Sequence, residues 1–219
     1  MFGEQFVFKD REDAAQRLAE CLSNEALESP YILGIPRGGV PIGRLAADLL
    51  GAPFGIFVAR KIGAPGNQEF GIGAVAEDGS YLIDSSAARW VGATTKDIET
   101  SLEAERRKCE EYVRKYRGGM GLPELKGCTA ILCDDGLATG ITMRAAVMAV
   151  KKMNPLCVVA AAPVASEHAV ESLRDAGAIA VVCTVPSGFG AVAQFYEKFE
   201  QLSDEDVASY LKRSVLYKT

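Results

Sequence analysis

The chain has 219 residues, 48% of them hydrophobic, and a formal charge of -5. That is enough for one sizeable core. The acidic balance disfavours non-specific binding to nucleic acid or to an anionic membrane surface, and no apolar run approaches the roughly 20 residues that span a bilayer. Taken in order, residues 1–6 show no basic stretch followed by an apolar one, so no secretory leader is expected. Asp10 caps an expected helix over 10–23, with Ala14, Leu18, Cys21 and Leu22 at helical spacing. Residues 31–35 read as a short apolar strand, 36–39 as a tight turn, and the stretch to Leu50 as a helix stopped by Gly51. A second apolar strand is expected at 54–59. Strand, helix and strand within about 30 residues make a βαβ unit with parallel strands.

Residues 60–71 are rich in Gly and Pro, with Arg60 and Lys61 at their start, and read as a long mobile loop. Asp78-Gly79, between apolar runs at 72–76 and 80–83, is a two-residue hairpin signal. A short helix is expected at 84–90. Thr94 and Asp97 stand at capping-box spacing ahead of a charged helix over 95–116, whose charge reads as a solvated face. Strands at 129–133, 157–162 and 179–184 alternate with helices at 142–153 and 166–176. This alternation predicts an open, mostly parallel α/β sheet with helices on both faces. A last helix starts at Ser203, with Asp206 completing a capping box. No repeat or linker interrupts the chain, so residues 1–219 are expected to form a single domain. The six cysteines show no C-x-x-C pair and read as reduced thiols of a cytoplasmic protein.

The chemistry concentrates in residues 131–142. An apolar strand ends at two adjacent carboxylates, Asp134 and Asp135, and in open α/β sheets ligands bind outside that strand edge. Two ionised carboxylates side by side repel each other, so a partner has to offset the cost. A vicinal diol suits, because charge-assisted hydrogen bonds are the stronger kind; a divalent metal is the other usual partner. Negative charge beside a sugar ring also stabilises a cation-like glycosyl transition state. Gly136, Leu137, Ala138, Thr139, Gly140, Ile141 and Thr142 follow as a small turn with two hydroxyls running into a helix N-terminus, an arrangement suited to a phosphate. The loop holds no Lys, so it is not the G-x-x-x-x-G-K-[ST] nucleotide loop.

Across these twelve positions the chain resembles the ribose-5-phosphate loop of the type I phosphoribosyltransferases, and the resemblance spans roughly residues 30–185. It implies that Asp134 and Asp135 bind the ribose 2′- and 3′-hydroxyls of phosphoribosyl pyrophosphate (PRPP) and that residues 136–142 hold its 5′-phosphate. Arg37, Gly38 and Gly39 resemble the family's pyrophosphate loop, with backbone N–H groups and the Arg37 charge facing the diphosphate. Lys61 sits where the family has its flexible catalytic loop. The implied catalytic set is Asp134, Asp135, Lys61 and Arg37, acting on PRPP with Mg²⁺ held mainly by substrate oxygens and water and no dedicated protein metal ligands. The implied fold is the family's sheet plus a small hood, for which residues 186–219 are the candidates. A homodimer is a family-level expectation. Residues 36–39, 60–71 and the tail also resemble a bacterial subgroup of phosphoribosyltransferase-domain proteins, a match that brings no acceptor with it.

Ala138 stands where some relatives place an Asp against the purine, which removes that acid from this loop. Glu69 is the remaining acid/base candidate, set against a plain solvated loop Glu. Residues 71–76 fit G-x-G-x-x-[GA] but do not open a helix, so a dinucleotide site is not expected. His168 reads as a surface residue. Phe189 reads either as a stacking surface for an acceptor base or as a packed hood residue. The leading function is transfer of ribose 5-phosphate to a nitrogen acceptor, a nucleobase, with release of pyrophosphate. The alternatives are a PRPP-sensing regulator without transferase activity and a non-catalytic interaction protein.

Overall fold

The structure is a computed structural model and describes residues 8–212; the leader reading of residues 1–6 and the end of the tail lie outside them. Five strands form a parallel sheet in the order β2-β1-β6-β7-β8. They are β1 (Pro30–Gly34), β2 (Phe54–Ile56), β6 (Thr129–Cys133), β7 (Cys157–Val164) and β8 (Ile179–Thr184). Alternate residues of the central strands serve opposite faces. Ile32, Ile131, Val159 and Ala161 pack with α1 (Arg11–Ser23) and α2 (Gly39–Leu50), whereas Leu33, Leu132, Val158 and Ala160 pack with α5 (Ile141–Lys151) and α6 (Glu167–Asp175). Helices therefore cover both faces, as the strand–helix alternation requires.

The local signals account for the helix ends. Asp10 accepts from Glu12 N and Asp13 N, both at 3.0 Å. Gly51 takes a left-handed conformation (φ 64°) after α2. Thr94 and Asp97 form the expected capping box of α4 (Thr95–Arg117). Ser203 and Asp206 form another at the start of α7 (Asp204–Lys212). Asp84 caps the short helix α3 (Ser85–Trp90).

Two expectations fail between residues 54 and 71. The run at 54–59 is not one strand. It leaves the sheet after Ile56, and Ala59 begins β3 (Ala59–Ala64) in a separate antiparallel sheet with β4 (Asn67–Ala76) and β5 (Tyr81–Ile83). The expected mobile loop is the β3–β4 hairpin, turned at Pro65-Gly66 with Gly66 at φ 74°. Its glycines fit tight quarters. A Cβ on Gly63 would lie 2.6 Å from Gln68 Oε1, and one on Gly73 2.4 Å from the Leu82 carbonyl oxygen. Gly71 and Gly73 thus belong to a strand and not to a dinucleotide loop.

The tail returns across the first helix. A 3₁₀ turn (Val192–Phe195) buries Phe195, and Phe8 bridges Tyr196, with Phe8 N donating to Phe195 O at 2.7 Å. Phe189 stacks on Phe195 with ring centroids 5.0 Å apart, so it is a packed residue of this cluster. All six cysteines are free thiols, and the Cys21 and Cys183 sulfurs approach to 2.9 Å. Among the described residues no helix is long and apolar enough to cross a membrane.

Candidate active site

Strands β1 and β6 are in register, with Gly34 opposite Cys133, so the loops after them leave the sheet side by side. Ile35 N donates to the Cys133 carbonyl at 2.9 Å. The Pro36–Arg37 peptide is cis. A Cβ on Gly38 would lie 2.1 Å from Asp135 Oδ2, and one on Gly39 2.0 Å from the Cys133 carbonyl oxygen. Their first role is therefore to let the 36–39 turn press against the acidic pair. Gly39 N–H is used within that turn, on Ile35 O at 2.9 Å, while Gly38 N–H makes no hydrogen bond among the described residues.

The turn, the hairpin and the loop after β6 enclose a cleft of about 580 Å³. Arg37, Lys61, Glu69, Glu105, Asp134 and Thr142 line it. Five residues singled out from the sequence thus meet here from three separate segments: Arg37, Lys61, Glu69, Asp134 and Thr142. The Arg37 carbonyl accepts from Val40 N at 3.2 Å, while its side chain makes no hydrogen bond or ion pair among the described residues, its charge acting on Asp204 and Tyr116. Lys61 Nζ reaches across the hairpin to Glu69 O at 2.8 Å and Glu69 Oε2 at 3.4 Å, and the Glu69 side chain is 96% exposed. Arg60 also lines the cleft, where it donates to Glu105 Oε2 at 2.6 Å, with its cation over the Tyr112 ring.

The acidic pair is divided. Asp134 faces the cleft and has no cation partner among the described residues. Burial, then the neighbouring Asp135 charge, push its carboxyl well above the usual range. Asp135 turns into a second cavity of about 310 Å³, bounded also by Arg37, Gly38 and Phe199. There Arg11 donates Nε at 3.0 Å and Nη2 at 2.8 Å to the same oxygen, Oδ2. Burial raises this carboxyl too, and the Arg11 charge opposes the rise. Asp135 N donates to Asp134 Oδ1 at 2.9 Å, which ties the two acids together. Arg11 was not foreseen, because nothing local in the sequence couples it to a loop 124 residues away.

The remaining loop residues divide by role. Leu137 is buried and pinned between Val164 and Ser166 by backbone bonds of 2.9 Å each. Gly136 leaves room for Val192 of the tail, where a Cβ would meet Val192 Cγ1 at 2.5 Å. Ala138 and Thr139 are exposed, and Ser166 Oγ donates to Ala138 O at 2.6 Å. Gly140 is left-handed (φ 70°) at the start of α5, which carries no side-chain cap. Ile141 is buried beside Ala74 and Ala145. The uncapped helix end, with Thr142 in the cleft, presents N–H groups of the kind that bind anions.

The charged helix α4 also contributes. Glu105 is 5% exposed and accepts from both Arg60 and Lys108 at 2.6 Å. Its spacing with Leu102 and Cys109, the other buried positions of α4, was the available signal that it lies on the inward stripe. His168 is exposed, as expected. Among the described residues no group of three His, Cys, Asp or Glu side chains could hold a metal ion.

A family model described as "Phosphoribosyl transferase domain" matches residues 8–200. "Putative phosphoribosyl transferase Rv0571c" of Mycobacterium tuberculosis (strain ATCC 25618 / H37Rv) is 36% identical over 213 residues, covering 95% of this chain and 47% of that protein. MT0597 of strain CDC 1551 / Oshkosh, whose name carries the same description, gives the same figures. The chain therefore spans about half the length of the curated relatives it matches. The crystal structure of TT1426 from Thermus thermophilus is 40% identical with a TM-score of 0.76, covering 94% of this chain and 98% of that one.

Proposed function

The chain belongs to the type I phosphoribosyltransferase family, and on that premise we propose that it transfers ribose 5-phosphate from PRPP to a nitrogen acceptor, a nucleobase. The observation that carries this reading is the single cleft shared by Arg37, Lys61, Asp134 and Thr142. Two kinds of group in one cleft, the cations Arg37 and Lys61 and the N-terminal turn of α5, suit a molecule carrying two phosphate groups, and the Asp134 carboxylate suits its sugar.

In this reading Asp134 and Asp135 accept hydrogen bonds from the ribose diol. Thr139, Thr142 and the first N–H groups of α5 hold the 5′-phosphate. Arg37, the Gly38 N–H and Lys61 take up the charge of the departing pyrophosphate. The C1′–O bond to pyrophosphate breaks, the C1′–N bond to the acceptor forms, and the acceptor nitrogen gives up its proton. The Asp134 carboxylate stabilises positive charge developing on the ring. The donor set of the cleft offers no three-ligand cage for a metal. A Mg²⁺ carried on the substrate would neutralise charge on the departing pyrophosphate beside Arg37 and Lys61. The whole chain acts as one domain, and residues 186–219 serve as its hood: Phe195, Tyr196 and Phe199 pack with Phe8 and α1, and α7 packs on α2 and α4.

The test is pyrophosphate release from PRPP and Mg²⁺ across a panel of nucleobases and amines. Acceptor-dependent release supports the transferase. Tight PRPP binding without release from any acceptor would favour the PRPP-sensing reading. Replacing Asp134→Asn together with Asp135→Asn is expected to abolish thermal stabilisation by PRPP, and undiminished stabilisation would remove the ribose assignment.

A further inference from the structure

Arg11 is the first residue of α1, with a side chain 12% exposed, and its three nitrogens are all engaged. Nε and Nη2 hold Asp135 Oδ2, and Nη1 donates to Glu200 O at 2.8 Å. The cation also lies 4.0 Å from the centre of the Phe199 ring. Asp135 is fixed from its other side as well, since its carbonyl oxygen accepts from the Tyr196 hydroxyl at 2.6 Å. Neither Arg11 nor Tyr196 bonds its second carboxylate oxygen, Oδ1, and its carboxyl lies within hydrogen-bonding reach of the Asp134 carboxyl.

We propose that Arg11 is a positioning residue: it keeps Asp135 ionised beside Asp134 and presents Oδ1 as the acceptor for a ribose hydroxyl. The inference rests on the transferase reading for the identity of that hydroxyl. The charges around Asp135 support it. Asp134 faces it from its own loop and Tyr196 from the tail, while Arg37 and Glu200 line the same cavity. Of these groups only Arg11 places a cation in contact with the carboxylate. Without it, two buried neighbouring carboxyls would retain a proton between them at neutral pH, because like charges at that separation do not both ionise readily. A protonated acid can still touch a sugar, but it no longer offers two charge-assisted acceptors to the diol.

The experiment measures PRPP affinity, with Mg²⁺ present, between pH 6 and 9 for the wild type and three variants. Arg11→Met keeps the stem and removes the charge. Its affinity is expected to fall about tenfold per pH unit below a midpoint displaced upward from that of the wild type, the signature of one added proton. Arg11→Lys restores a pH-independent affinity near neutrality. Tyr196→Phe loosens the same tail without touching charge, so it lowers the melting temperature and leaves the pH profile in place. An Arg11→Met profile that parallels the wild type, whatever its melting temperature, overturns the proposal. Should Arg11→Met fail to fold, carboxyl-carbon NMR of the wild type still decides, because an Asp135 found protonated at pH 7 refutes it. A wild type that PRPP does not stabilise at any pH counts against the transferase reading instead, and the NMR titration then judges the role of Arg11 by itself.

Discussion

Replacing Gly39 with Ala tests whether the 36–39 turn and the acidic loop form one rigid unit. The new Cβ would lie 2.0 Å from the Cys133 carbonyl oxygen and 2.9 Å from Asp134 Cα, both backbone atoms that no rotamer change can move. Ordinary contact begins at 3.4 Å, so the helix start and the end of β6 have to part by about 1.4 Å. On the other side the helix is already tight, since the Gly39 carbonyl oxygen and Val40 Cα would lie 2.7 and 2.9 Å from a Cβ on Gly34. Overpacking of this kind costs about 1–3 kcal/mol, and we expect the upper end because backbone is opposed to backbone. In a chain of this size that corresponds to a fall in melting temperature of about 6–12 °C. The same displacement carries Arg37 away from Asp134, and misplacement by about 1 Å lowers rates about 100-fold. Thermal melts with and without PRPP, and pyrophosphate release, read both effects. Gly51→Ala is the control. Its φ is 64° with open space around it, so it should lose about 1–2 kcal/mol and keep its PRPP response. A Gly39→Ala protein with wild-type melting and wild-type PRPP response would refute the close approach of the two loops.

Asp134→Asn should raise the melting temperature of the ligand-free protein at neutral pH while weakening PRPP binding. The sign follows from its raised carboxyl, which binds a proton on folding. The associated stability is full below the ordinary carboxylate range and is lost as pH rises through the folded value, a decline that the variant should flatten in melts across a pH series. Glu105→Gln should destabilise by about 2–4 kcal/mol, since it removes two charge-assisted bonds on a buried carboxylate. Burial opposes its ionisation, but Lys108 and Arg60 outweigh burial and hold it below its ordinary value. This contribution is therefore present at neutral pH and disappears as pH falls through the folded value, which acid titration of the melting temperature will show. Lys61→Met should lower kcat/KM by about 100-fold or more with a stability change within about 0.5 kcal/mol, because the side chain is half-exposed and bonded only within its own hairpin. Equal losses of stability and activity would assign Lys61 to the hairpin alone.

The stretch from β6 to α5 was legible because every device in it is local. An apolar run, two acids, a glycine in the left-handed region and a helix start lie within residues 129–141, and such spacings survive any tertiary context. Helix caps were legible for the same reason. The hairpin at 59–76 was not. Gly63 and Gly71 read as looseness, whereas they are strand positions, and a side chain at 63 would collide with the neighbouring chain. Glycine marks freedom and close approach alike, and only the packed neighbours distinguish them.

By itself, then, the sequence determined the parallel α/β sheet and the loop that ends its central strand. It also placed the cationic residue Arg37 after an earlier strand, whereas Lys61 lies within β3 and not after the strand expected at 54–59. Which of them share a cleft was decided by the register of β1 on β6 and by the hairpin folding over both. The acidic pair shows the division most clearly. Both carboxylates were expected on one ribose diol, and nothing local in the sequence separates them. Only the tertiary structure decided that Asp134 meets the cleft and Asp135 meets Arg11, because a contact 124 residues apart depends on how the first helix and the tail close over the sheet.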